Sequence, residues 1–121
     1  MQAGLEWPLR LVFVTGAGIS AASGIPTFRG PNGLWTQAEL QRFSHSSILK
    51  TDLAGFLAFH SARRQHILAS EPTLAHRLIA ALQAKAQVSV ITQNIDDLHE
   101  RAGSQDVWHL HGSIQHMVPI G

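Results

Sequence analysis

The sequence predicts an α/β fold: a partial, doubly wound parallel sheet of three strands with a helical insertion. Two observations carry that expectation. Two β-branched runs and one short apolar run end at glycines or amides, as parallel strands do at the edge of a sheet. The segments between them show helical spacing and capping residues. The order is therefore strand, helical insert, strand, helix, strand, a βαβαβ half-unit.

The first strand, Leu11–Thr15, is apolar on both faces and reads as buried. It runs directly into Gly16-Ala17-Gly18-Ile19-Ser20-Ala21, a G-x-G-x-x-A turn. Gly16 permits the tight turn, Gly18 lets a pyrophosphate approach the backbone, and Ala21 lets helix and strand pack closely. Ile19–Ser23 makes a short helix, stopped by Gly24 and Pro26. The turn-rich loop from Gly24 to Gly33 carries Phe28 and Arg29, with Trp35 just beyond. Aromatic and cationic side chains in such a loop point to a ligand.

Residues 36–70 form the helical insertion. Asp52 caps a helix with apolar positions Leu53, Phe56, Leu57, Ile67 and Leu68, and His60 and Arg64 share that stripe. Ser70-Glu71-Pro72-Thr73 breaks it, with Pro72 in the first turn of the next helix. Leu74, Leu78, Ala81 and Leu82 then keep a clear 3.6-residue period. Gln87–Thr92 is the second strand. Asn94 caps the helix that follows, with Asp97 at its third position, Arg101 in its last turn and Gly103 at its end. Val107–His111 is the third strand, and Trp7 and Trp108 read as packing residues.

The bulk composition narrows the function. The chain has 121 residues, enough for one domain with a core, and 45% of them are hydrophobic against 14% charged. A net charge of +1 leaves no electrostatic footprint for nucleic acid or an anionic membrane. With no cysteine, thiolate catalysis, disulfides and cysteine-ligated zinc are excluded. No basic leader or long apolar run opens the sequence, so a soluble, cytoplasmic protein is expected.

Two segments carry candidate chemistry. Thr92-Gln93-Asn94-Ile95-Asp96 falls at the end of the second strand, where open α/β sheets bind ligands. Gln93 and Asn94 offer amides for a ribose or carboxamide, and Asp96 a carboxylate. Helix capping is the competing role for Asn94 and Asp96. Trp108-His109-Leu110-His111-Gly112 ends the third strand at the same edge, and a neutral His111 there suits a general base. His109 and His111 lie two apart and share a strand face. A metal would need a third ligand, such as His99, His116 or Asp96, and no metal site is expected. His109 reads as a structural or surface residue, and His76 as one that bonds a neighbouring loop.

Taken together, these segments resemble the sirtuins, NAD-dependent protein lysine deacylases. The matching residues are Gly16-Ala17-Gly18-Ile19-Ser20, Ser23-Gly24-Ile25-Pro26-Thr27-Phe28-Arg29-Gly30 and Gly33-Leu34-Trp35. They continue with Glu71-Pro72-Thr73-Leu74-Ala75-His76, Thr92-Gln93-Asn94-Ile95-Asp96-Asp97-Leu98-His99 and Leu110-His111-Gly112-Ser113. The resemblance implies a Rossmann-like sheet and NAD as cofactor. Gly16, Ala17, Gly18 and Ala21 would line the pyrophosphate site. Thr27, Phe28, Arg29 and Trp35 would lie in or beside the cofactor loop, and Gln93, Asn94, Ile95 and Asp96 would hold the ribose and nicotinamide. His111 would be the catalytic base. In the implied reaction the acyl-lysine oxygen attacks the ribose C1′, nicotinamide leaves, and the acyl group moves to ADP-ribose.

The resemblance also brings finer expectations. Thr27 stands where many deacetylase-type members carry aspartate, and the surrounding motif is closer to the branch that removes acidic acyl groups. That branch uses a tyrosine and an arginine, three apart, on the acyl carboxylate. His60 and Arg63 take those positions here, so acetyl, succinyl and malonyl groups all stay open. Sirtuins usually continue with a zinc module of four cysteines and the second half of the sheet. The chain therefore resembles the first half of such a core, a partial NAD-binding domain over residues 1–121. The free edge of its first strand would invite a second copy or a complementary chain. The alternative to a deacylase is a truncated, non-catalytic fragment that binds NAD or ADP-ribose and needs a partner chain.

Overall fold

The structure, a computed structural model, describes residues 9–25 and 37–116. Strand β1 (Leu9–Thr15) is followed by a 3₁₀ turn at Ala17–Ser23, then by α1 (Gln37–Phe43), α2 (Ile48–Thr51) and α3 (Leu53–Ala69). Helix α4 (Leu74–Ala81), a short 3₁₀ segment (Leu82–Ala84), β2 (Ala86–Thr92), α5 (Leu98–Ala102) and β3 (Val107–His109) complete the order.

The sheet is parallel throughout, in the order β1-β2-β3, with Val14 opposite Ile91 and Ile91 opposite Trp108. Period-two alternation sends Leu11 and Phe13 to one face with Val88, Val90 and Val107. Ile79 of α4 packs there and closes the core, with Ile19 of the 3₁₀ turn and Ala86 beside it. The other face carries Val12, Val14 and Trp108, all exposed. The expectation that β1 is buried on both sides is therefore corrected: among the described residues no helix lies over that face. Trp108 does not pack in a core either. Its indole Nε1 donates to Asp106 at 2.9 Å on the surface.

The helices differ from expectation in instructive ways. Asp52 does cap α3, accepting from the Gly55 amide at 2.9 Å. The residues that α3 buries, however, are Phe59 and Ile67, while Leu53, Leu57 and Leu68 stay exposed. Phe59 stacks on Phe43 of α1 at 4.9 Å, which ties the insertion together.

Helix α4 does not turn its leucine stripe inward. Leu74, Leu78 and Leu82 are exposed, and His76, Ile79 and Ala80 are buried. Its start explains the choice. Pro72 lies outside the helix and Thr73 caps it, and the His76 ring reaches back to accept from the Thr73 amide at 3.0 Å, a capping box that fixes which side faces in. Helix α5 then anchors α3: the Arg101 guanidinium donates to the carbonyls of Ile67 (2.9 Å) and Ser70 (2.7 Å) at the end of α3. This fixes where α3 meets the C-terminal edge of the sheet.

Candidate active site

That edge is built by two polar turns. The chain leaves β1 at Thr15, whose carbonyl accepts from the Gln93 amide at 3.0 Å, so the turns after β1 and β2 begin side by side. The first turn ends at Gly24, whose φ of 86° is open to glycine and strained for other residues.

Ser20, buried within this turn, donates to Asp96 Oδ2 at 2.9 Å across the two loops. The second oxygen of Asp96 accepts from the Leu98 amide at 3.1 Å, so the buried carboxylate is held from both sides. Asn94 donates from Nδ2 to the Gly16 carbonyl at 2.9 Å and sits 3.4 Å from Ser20 Oγ. It does not cap α5. That helix starts at Leu98 after Asp97, which makes no side-chain cap bond, and it is Asp96 that bonds the Leu98 amide. The short α5 and the pull of Gly16 and Ser20 on the amide explain the difference.

These contacts enclose a cavity of about 70 Å³ lined by Ala17, Ser20, Ile25, Arg63, Ile67, Gln93, Asn94, Ile95 and Asp96. It is the inner corner of a site rather than a whole one, since ligand pockets run to roughly 300 Å³ or more. Of the expected residues, Ala17, Gln93, Asn94, Ile95, Asp96 and Arg63 meet here. Gly16 lies beneath, through its bond to Asn94. Ala17, Gly18 and Ala21 are exposed along the turn, and a Cβ built on Gly18 would touch nothing within 4 Å, so the backbone there is open to approach. Thr27, Phe28, Arg29 and Trp35 lie outside the described residues.

His60 does not line the cavity. Its ring packs on Phe56 at 4.3 Å and its Nε2 lies 3.3 Å from the Phe43 carbonyl. Burial holds its pKa below the ordinary histidine value, and the nearby Arg63 charge pushes the same way, against the Phe43 carbonyl. Burial also draws the Arg63 guanidinium below its usual value.

His111 lies past the strand. β3 ends at His109, and His111 is exposed in the turn before Gly112, where φ is 82°. The expected strand through His111 is thus two residues too long, and His109 and His111 do not share a strand face. The turn nevertheless delivers His111 to the same sheet edge, where the Leu110 amide donates to the Thr92 carbonyl at 3.0 Å.

Beneath the site lies a histidine pair that sequence reasoning did not single out as such. His76 and His99 are fully buried, their rings edge to face with centroids 4.7 Å apart. His99 Nε2 is 2.9 Å from Thr15 Oγ1, and the rings leave His76 Nε2 and His99 Nδ1 without partners. Burial, with His76 beside it, brings the His99 pKa down to about 4, and burial lowers that of His76. Local spacing does not mark the pair, because the leucines that keep the helical period of α4 are the exposed ones.

A zinc centre finds no fit in these residues. The chain has no cysteine, and among the described residues no three histidines or carboxylates converge to hold an ion. No helix among them is long and apolar enough to cross a membrane.

Comparison with known proteins decides the family: the Sir2 family profile matches residues 16–119. The chain belongs to the Sir2 family. It is 49% identical over 107 residues to an NAD-dependent protein deacylase of Pseudomonas aeruginosa, covering 87% of this chain and 43% of that one. It is 43% identical over 103 residues to another from Aggregatibacter actinomycetemcomitans, covering 85% of this chain and 50% of that protein. Among solved structures, a mutant Sir2 homologue with bound ADP-ribose superposes with a TM-score of 0.78 at 43% identity, over 86% of this chain and 42% of that one. A mutant Sir2 bound to a deacetylated p53 peptide and 3′-O-acetyl-ADP-ribose gives a TM-score of 0.74 at 43% identity, over 88% and 43%. The chain thus spans about half the length of the curated relatives it matches.

Proposed function

We propose that this Sir2-family chain binds NAD at the C-terminal edge of its sheet and serves NAD-dependent removal of acyl groups from protein lysine. The observation that carries the reading is the buried bond from Ser20 to Asp96, with Asn94 tied to Gly16, around the cavity. This set of polar groups, amides, an accepting carboxylate and open backbone, suits a ribose and a carboxamide. Gly16, Ala17, Gly18 and Ala21 would lie along the pyrophosphate, and Gln93, Asn94, Ile95 and Asp96 around the nicotinamide ribose. Thr27, Phe28, Arg29 and Trp35 keep their expected place by resemblance alone. NAD brings a leaving group that is already cationic, so the protein need only position the reactants and supply one base. The exposed His111 is that base: it takes a proton from a ribose hydroxyl. The setting is cytoplasmic.

Acyl preference rests on Arg63. Arg63 lines the cavity beside the apolar Ile25 and Ile67, and a cationic residue there suits an acyl chain ending in a carboxylate, such as succinyl or malonyl. His60 replaces the tyrosine of the acidic-acyl branch as its neighbour.

A second reading draws on the exposed Val12, Val14 and Trp108 and on the span of half a relative's length. In it the chain binds NAD or ADP-ribose without turnover until a second copy or a complementary chain joins along β1.

The test is calorimetric titration of ADP-ribose and NAD, followed by mass spectrometry with acetyl- and succinyl-lysine peptides. Wild type is expected to bind, Asp96→Asn to bind at least about tenfold more weakly, and His111→Ala to bind but yield no acyl-ADP-ribose. A folded chain that binds neither nucleotide refutes the NAD reading. Binding without product selects the second reading.

A further inference from the structure

His109 is held in a way that its bland reading in the sequence does not explain. In β3 it stands opposite Thr92, on the covered face of the sheet. Its Nδ1 lies 2.8 Å from the backbone carbonyl of Asn94 and its Nε2 lies 2.9 Å from Glu100 Oε2. Its side chain is only 14% exposed. Both partners are pure acceptors, because neither a carbonyl oxygen nor an ionised carboxylate has a hydrogen to give. A neutral imidazole carries one N–H and would turn a lone pair toward one of these oxygens. Only the doubly protonated ring makes both bonds.

What His109 holds matters more than how it is held. Asn94 is fixed at three points: its amide donates to Thr92 Oγ1 at 3.1 Å, its carbonyl meets His109, and its side chain reaches Gly16. The first and third bonds tie it to β2 and to the glycine turn. The second alone ties it to β3 and, through Glu100, to α5. Without it the Asn94 carbonyl loses that anchor, although the Ile114 amide still donates to the Ile95 carbonyl at 2.9 Å, and the side-chain amide that meets Gly16 and Ser20 shifts with the loosened peptide.

We propose that His109 is a positioning residue that, as a cation donating to Asn94 and Glu100 at once, latches the Gln93–Asp96 loop in its cofactor-binding shape. The proposal rests on the NAD reading for its functional consequence but not for the latch itself. The groups facing the ring work in one direction. Burial alone would lower its pKa, but the Asn94 carbonyl, the Glu100 carboxylate on α5 and the charge of Asp96 in the loop outweigh it and raise the value. His99, also on α5, stays neutral down to about pH 4 and opposes nothing at working pH. Because the folded value is raised, the latch is fully present below the ordinary histidine pKa of about 6.5 and is lost as pH rises through the raised one.

The experiment is NMR of the full chain with ¹⁵N-labelled histidine, in wild type, Glu100→Gln and His109→Gln, with ADP-ribose affinity measured over the same pH series. At about pH 6 both His109 ring nitrogens are expected to carry protons, and the ring to titrate above about 6.5. Glu100→Gln should lower that midpoint, and the Asn94 backbone and side-chain signals should follow it. ADP-ribose affinity should weaken about tenfold across the midpoint, as the fraction of loop in the binding shape falls. His109→Gln, whose amide donates to Asn94 at every pH, should bind with no such dependence, which a merely structural role would not produce. An unprotonated His109 ring nitrogen at about pH 6, or Asn94 signals indifferent to the titration, overturns the proposal. If ring and Asn94 titrate together while ADP-ribose binds at no pH, the latch stands and the NAD reading fails.

Discussion

The two faces of the sheet differ sharply in burial. On one, Val90 and Leu98 are fully buried beside the His76–His99 pair. On the other, Val12, Val14 and Trp108 are 62%, 70% and 64% exposed. Both faces are apolar in sequence, so hydrophobicity alone does not decide which is a core. The presence of a helix does. Helix α4 and the capping residues that orient it cover one side, and the Ser20–Asp96 and Asn94–Gly16 bonds of the candidate site are made at the C-terminal edge of the sheet.

The comparison is broken most directly by Leu98→Ala. The side chain is fully buried at the start of α5, next to the loop that ends in Asp96. Truncation should destabilise the fold by about 3–5 kcal/mol, the lost burial plus the cavity left behind. Urea unfolding followed by circular dichroism measures it. A loss below about 1 kcal/mol would mean that the covered face is no better packed than the bare one.

The histidine pair gives the next largest effect, and its sign is fixed by burial. His99 is kept neutral in the fold, with a pKa near 4, while in the unfolded chain it titrates near 6.5. Between those values the unfolded state binds the extra proton, so stability falls as pH drops from about 6.5 toward 4, by at most roughly 2–3 kcal/mol. His76, also lowered, adds in the same direction. His109 works in the opposite direction, its contribution being lost as pH rises above the ordinary histidine value of about 6.5. Thermal melting against pH should show the acid loss in wild type and a smaller one in His99→Gln. Equal slopes in the two proteins would place the acid sensitivity elsewhere.

How much of this was legible depends on which signals are local. The three strands, the glycine turn and the polar loops at their ends follow from β-branched runs and from residues that cannot continue a strand. They were readable to within two residues. The inward side of α4 was not. Leu74, Leu78 and Leu82 form as clear a stripe as Ile79 and Ala80, and the choice rests on the His76–Thr73 capping box, a contact of the folded chain. The bare face was hidden for the same reason, since a strand's composition says nothing about whether a helix lies over it. At the site, the place of Gln93, Asn94 and Asp96 at the C-terminal edge of the sheet was legible from their position after a strand. The Ser20–Asp96 bond spans 76 positions, and no local spacing announces it. The pairing of His109 with the Asn94 carbonyl was hidden too, because it depends on β3 lying in register beside β2.

The smallest expected effect sharpens the comparison most. Val14→Ser removes methyl groups that, in the isolated chain, already face water, so burial lost on unfolding is slight and the change should stay within about 0.5 kcal/mol. The same substitution in the covered row, Val90→Ser, removes buried methyls and adds a hydroxyl that must find a partner. The two positions sit on neighbouring strands and differ chiefly in whether a helix lies above them. Unfolding should therefore be run at two protein concentrations, with sedimentation velocity beside it. A stability of Val14→Ser that matches wild type and does not depend on concentration means that the face is bare in solution. A large loss, growing with concentration and accompanied by dissociation of a dimer, means that a second copy covers Val12, Val14 and Trp108. The asymmetry between the faces would then belong to the single chain and not to the working assembly.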